Sequence, residues 1–180
     1  MTVLFSDVRG FTELTRRRGA EYVRPLIERM YERCRDIVIS HDGIIDRFLG
    51  DAVLALFNVP IHHEDHVARA VGAAMDIQKA IQEENAQAPA GDMFQVGIGI
   101  TTGAAVTGAV GSMRCEDYTA IGDVVNVASR LQGHAAAGEI LLSEEAYKLV
   151  IDQFPGAEER TLQLKGLEDP VTAYALQPPA

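Results

Sequence analysis

The chain has 180 residues, is 47% hydrophobic and carries a formal net charge of -10. That suffices for one domain with a sizeable core, and it excludes duplex nucleic acid as a partner, because phosphate-backbone binding needs a basic stripe. No apolar run approaches twenty residues and no leader pattern stands at Met1, so a soluble, cytoplasmic domain without membrane contact is expected.

The first element is the strand Thr2-Val3-Leu4-Phe5, whose run ends in Asp7 ahead of Gly10 and Thr12. A chain that opens directly on a core strand is expected to be a piece of a longer, regulated protein. A carboxylate at such a strand end sits beside the backbone N–H groups of a helix start, a setting suited to phosphate and its metal. Three- and four-residue apolar steps from Val23 to Val38 predict an amphipathic helix over Ala20 to Ser40. The segment IIDRFLGDAVLALF then reads as a hairpin turning at Leu49-Gly50-Asp51, which holds a second carboxylate on a tight turn. An isolated Asp caps a turn or a helix; two in matched settings on neighbouring strands can share divalent ions. Two such cations about 3.5–4 Å apart are a recurrent device for phosphoryl transfer.

The cluster His62-His63-Glu64-Asp65-His66 follows Pro60 and is read as the lead into a helix from about Glu64 to Asn85 rather than as a metal site. The linker AQAPAGD breaks that helix. Phe94, Val96, Ile98 and Ile100 alternate as a strand, with Gly97 and Gly99 on the opposite face permitting close approach of another element. Gly103, Gly108 and Gly111 punctuate the stretch beyond that strand, and Cys115-Glu116-Asp117 reads as a polar turn. Tyr118 to Ile121 is a strand leading into a helix on which Asn126 and Arg130, four residues apart, share a face. An amide beside a guanidinium suits an oxygen gaining negative charge. The tail adds a strand Ile140 to Leu142, a helix from Ser143, and strands near Leu162 to Leu164 and Val171 to Leu176. Lys165 stands at the end of the former, just before a glycine, where a point charge could meet a terminal phosphate. Cys34 and Cys115 lack ligand spacing and are expected as free thiols. Neither a Walker A loop nor a GxSxG elbow is present. The element order, βααββαβ with more strands after it, predicts an α+β fold in which helices pack on one mixed sheet.

Taken together, FSDVRGFT, DRFLGDAVLALF, and YTAIGDVVNVASRL with a later LKG closely resemble the catalytic domain of the class III nucleotidyl (adenylate/guanylate) cyclases, over nearly the whole chain. The resemblance implies a ferredoxin-like mixed sheet flanked by helices, a single cyclase domain over residues 1–180, and a head-to-tail homodimer with active sites across the interface. It implies that Asp7 and Asp51, with the backbone of Val8, hold two Mg²⁺ or Mn²⁺ ions, while Gly10, Phe11 and Thr12 cradle phosphates. The partner copy would supply Arg47 and Thr119 to the base, Asn126 and Arg130 to the ribose and transition state, and Lys165 to the triphosphate. ATP-using members usually carry Lys where this chain has Arg47, and either Asp or Thr where it has Thr119; guanylate cyclases usually place Glu and Cys there. ATP is therefore the expected substrate, GTP or relaxed purine selectivity the alternative, and a non-catalytic nucleotide-binding dimer the alternative of another class. Some members also place a phosphate-binding Arg on the strand near Gly97, whereas nothing basic lies between Met93 and Thr107.

Overall fold

The computed structural model describes residues 1–88, 92–112 and 115–177. In chain order the elements are β1 (Thr2–Arg9), α1 (Phe11–Arg18), α2 (Ala20–Ser40), β2 (Ile44–Leu49), β3 (Ala52–Phe57), α3 (His66–Gln87) and β4 (Gln95–Thr102). Then come β5 (Val106–Ser112), β6 (Cys115–Ile121), α4 (Asp123–His134), β7 (Ile140–Ser143), α5 (Glu144–Lys148), β8 (Glu158–Leu162) and β9 (Val171–Leu176).

A seven-stranded sheet runs β2-β3-β1-β4-β7-β9-β8, and β5 pairs with β6 in a separate two-stranded ribbon. Only the β4–β7 pair is parallel, so the sheet is mixed. The β2-β3-β1-β4 portion, with α2 and α3 as crossovers, is the split βαβ arrangement of ferredoxin-like folds. Alternation along β1 explains how the two faces are used. Leu4 and Val8 enter the core beneath α2 and α3, while Val3 packs on the other face with Val124 and Ala128 of α4. β3 is buried at every position, because helices cover one face and α4 covers the other. The predicted free thiol of Cys34 is a core group of α2, and burial pushes it up to about 12; the side chain of Cys115 lies outside the described residues. No helix among the described residues is long and apolar enough to cross a membrane.

Three expectations are corrected. Cys115 to Asp117 belong to β6, not to a turn, since their backbone is laddered to Val110, Gly111 and Ser112 of β5. The penultimate strand is Glu158–Leu162, so Lys165 lies in a turn beyond it rather than at its end. The turn is set by fully buried Leu164, whose carbonyl accepts from Leu167 N–H at 3.1 Å. The helix after Pro60 begins at His66, with no acid in its first turn; Asp65 accepts instead from Arg69 Nε at 2.7 Å.

The expectation for the β4 glycines holds with a refinement. A Cβ at Gly99 would collide with the backbone of Ala128 and Gln132, so α4 rests directly on β4. At Gly97 the space is taken by a side chain, Arg9 of β1.

Candidate active site

The antiparallel register places Asp7 opposite Ala52 on one side and Gly97 on the other. Asp51 is the residue before Ala52, on the turn between β2 and β3, so pairing of β1 with β3 brings the two carboxylates together. Burial pushes the Asp51 carboxyl above the ordinary carboxylate range, the Asp7 charge and a hydrogen bond with it act the same way, and Arg9 opposes them. Two carboxylates held side by side are a good oxygen donor set for a hard cation. Val8 is one residue past the last β1–β3 pair, so the β3 side of its backbone has no strand partner. Among the described residues no group of three or more His, Cys, Asp or Glu converges. A cation here would therefore complete its shell from the Val8 carbonyl and from oxygens of its ligand.

Three neighbours hold this corner. Gly10 adopts φ +75°, the left-handed region that favours glycine, and turns β1 straight into α1. Leu14 N–H returns to the Gly10 carbonyl at 3.0 Å, which leaves the first-turn N–H groups of Phe11, Thr12 and Glu13 at the open helix end. Phe11 anchors that end by packing on the core, and Thr12 is exposed. Gly50 has φ +66°. Tyr31 of α2 donates its hydroxyl to the Gly50 carbonyl and stacks on Phe48, ring centroids 4.0 Å apart. Finally, Arg9 Nη1 lies 3.3 Å from Asp7 Oδ2, while Nη2 donates to the carbonyls of Ala135, at 2.8 Å, and Gln132. Arg9 thus ties the carboxylate of β1 to the C-terminal end of α4, where a cation is favoured.

Arg47 lies on β2 and Thr119 on β6, where it pairs with Gly108; β6 touches β2. Arg47 Nε donates to Asp46 Oδ2 at 2.6 Å. On α4, Val124, Ala128 and Leu131 are buried, Asn126 is exposed and Arg130 is half-buried. Arg130 lies against Gly166, where a Cβ would stand 3.4 Å from Nη2, so the structure brings Arg130 and the exposed Lys165 to one place. It does not bring them to Asp7 and Asp51. The cation beside those two carboxylates is Arg9, and neither Arg130 nor Lys165 pairs with them.

The histidine cluster does not converge. His63 N–H donates to Asn58 Oδ1 at 2.7 Å, and His66 Nδ1 shares a 2.6 Å hydrogen bond with Thr2 Oγ1. Sequence reasoning missed Arg9, Tyr31 and Asp46. For Arg9 a signal existed, since two residues beyond Asp7 on a strand is the same face; for Asp46 the signal was a charge inside an apolar strand.

The family model for the adenylate and guanylate cyclase catalytic domain matches residues 1–178. Adenylate cyclase 1 of Rhizobium meliloti (strain 1021) is 36% identical over 135 residues, which is 74% of this chain and 20% of that protein. The chain therefore spans about a fifth of that relative's length. Among solved structures, the guanylyl cyclase Cya2 superposes with a TM-score of 0.90 at 32% identity, covering 97% of this chain and 89% of that one. The adenylyl cyclase CyaB from P. aeruginosa gives 0.87 at 34% identity, covering 97% and 91%.

Proposed function

The chain belongs to the adenylate and guanylate cyclase catalytic domain family, and on that premise we propose that it converts ATP to 3′,5′-cyclic AMP and pyrophosphate as a head-to-tail homodimer. The observation that supports the reading is the division of the candidate residues within one copy: Asp7 and Asp51 meet at the β1–β3 end of the sheet with Arg9 as their cation, whereas Arg130 and Lys165 lie together beside Gly166 and pair with neither carboxylate. A two-fold pairing of copies would put each half against the other's complement.

In this reading the ribose 3′-oxygen attacks the α-phosphorus, and the bond to the pyrophosphate oxygen breaks. Asp7, Asp51 and the Val8 carbonyl would hold Mg²⁺ or Mn²⁺, hard cations that fit an all-oxygen donor set. When bound, the ions lower the pKa of the attacking hydroxyl and hold the phosphates. The N–H groups of Gly10, Phe11 and Thr12 at the start of α1 receive the β- and γ-phosphates, with the helix dipole favouring the anion. From the partner copy, Asn126 orients the ribose and Lys165 meets the terminal phosphate. Arg130 offsets charge gained by the α-phosphoryl oxygens, a role worth about 2.7–4 kcal/mol in a preorganised site. Arg47 donates to an adenine ring nitrogen, and the Thr119 hydroxyl accepts from the adenine amino group. No side-chain nucleophile is needed.

A second reading, cyclic GMP synthesis, draws on the similarity to the guanylyl cyclase Cya2. Turnover by the purified domain across protein concentrations, with ATP or GTP and Mg²⁺ or Mn²⁺, separates them. Cyclic AMP that rises faster than linearly with protein, and is lost in Asp51→Asn, is expected. Cyclic GMP as the main product would replace the first reading with the second, and turnover proportional to protein at all dilutions would remove the shared site.

A further inference from the structure

Asp46 is the inserted residue of a β-bulge. Ile45 pairs with Ala55 and Arg47 with Leu54, which leaves Asp46 without an opposite number on β3. In a regular strand consecutive side chains point to opposite faces; the bulge breaks that alternation, and the side chains of Asp46 and Arg47 meet at 2.6 Å. Their exposures differ sharply, with the Asp46 carboxylate at 0% and the Arg47 side chain at 37%. A buried anion thus grips the inner edge of a cation that reaches the surface. The second carboxylate oxygen, Oδ1, is buried and has no hydrogen-bond partner among the described residues. Burying a carboxylate is costly unless its oxygens are satisfied. Nothing in the strand's own packing calls for an acid here, since its neighbours Ile45 and Ile44 pack as ordinary apolar residues.

We propose that Asp46 is a positioning residue for purine selection: by holding Arg47 Nε it fixes the plane of the guanidinium and the direction in which its outer donors meet the base. This rests on the assignment of Arg47 to the base made above. The chemistry favours it because guanidinium is a rigid planar fork, so anchoring one edge determines where the others lie, whereas an ammonium could reorient freely.

The test compares the purine selectivity of wild type, Asp46→Ala, Asp46→Asn, Arg47→Ala and the double variant Asp46→Ala/Arg47→Ala. Selectivity for ATP over GTP is read as the dissociation constant for GTP divided by that for ATP, by calorimetry, and as kcat/KM for ATP divided by that for GTP; both are written below as the ATP:GTP ratio. Loss of one positioned hydrogen bond is expected to lower the ATP:GTP ratio about tenfold in Asp46→Ala, mainly through KM, with kcat within about threefold of wild type. Asn keeps one acceptor oxygen and the shape, so Asp46→Asn is expected to lower the ratio only about threefold, and it serves if Asp46→Ala does not fold. The double variant should select no worse than Arg47→Ala alone. An equal fall for both nucleotides with an unchanged ratio would show a merely structural carboxylate and overturn the proposal. If Arg47→Ala moves the ratio and the Asp46 variants do not, positioning fails while the base assignment stands. A ratio indifferent to Arg47→Ala, or a wild-type domain that binds neither nucleotide, removes the base assignment itself.

Discussion

Replacing Asp51 by Asn should stabilise the metal-free protein and abolish its response to divalent cations. The reason is the forced meeting of two carboxylates. Coulomb repulsion between unit charges about 4 Å apart runs from about 1 kcal/mol in water to about 4 kcal/mol at a protein surface. Asp7 is 31% exposed and its charge is partly offset by Arg9 at 3.3 Å, so solvent screening and the guanidinium place the cost at the low end, about 1 kcal/mol. Relief of that cost by the neutral isostere should raise Tm by about 2–4 °C in a domain of this size. The pH dependence has a definite sign. Because the folded-state pKa of Asp51 is raised, the native state binds its proton more readily than the unfolded chain does. Wild-type stability therefore falls as pH rises from the ordinary carboxylate value through the elevated one, and Asp51→Asn should lack that slope. Mn²⁺ acts in the opposite direction. At about a hundredfold over its dissociation constant it should add about 2.7 kcal/mol to the wild type, or about 5–11 °C in Tm, and far less to the variant. Thermal unfolding by calorimetry, with and without Mn²⁺ across mildly acidic to neutral pH, reads all three effects. A metal-free variant less stable than wild type, or one that gains as much from Mn²⁺, would refute the reasoning.

Three further outcomes are expected. Arg9→Met should cost about 2 kcal/mol, the loss of charge-assisted bonds to Asp7 and to the α4 carbonyls; urea unfolding with an unchanged midpoint would contradict the tether. Tyr31→Phe keeps the stack on Phe48 but frees the Gly50 carbonyl, so about 1 kcal/mol of stability should go. Its turnover should fall through misplacement of Asp51, and unaltered kcat would separate the turn from the chemistry. Mixing inactive Asp51→Asn with inactive Arg130→Ala should restore about a quarter of wild-type turnover, because random pairing leaves one intact shared site in each heterodimer; no recovery in a confirmed heterodimer would exclude the shared arrangement.

What the amino-acid order determined by itself was local. Three- and four-residue apolar steps mark α2 over Ala20–Ser40, because a helix must bury one stripe, and Gly50-Asp51 between two apolar runs marks the β2–β3 hairpin, because the turn needs a residue at positive φ. The alternation of glycines on β4 likewise announced a close neighbour. Tertiary structure decided the rest, since the deciding partners lie far away in sequence. The β5–β6 ladder overrode the turn chemistry of Cys115-Glu116-Asp117, whose strand conformation depends on pairing with β5. Only the β1–β3 register sets Asp7 beside Asp51, and only the packing of α4 against the turn at Gly166 sets Arg130 beside Lys165. Arg9 was legible as a residue near Asp7 but not as a clamp, because its other partners, Gln132 and Ala135, are carbonyls that no side-chain pattern records. The burial of Asp46 depends on a one-residue slip between two strands, a backbone event to which composition and periodicity are blind.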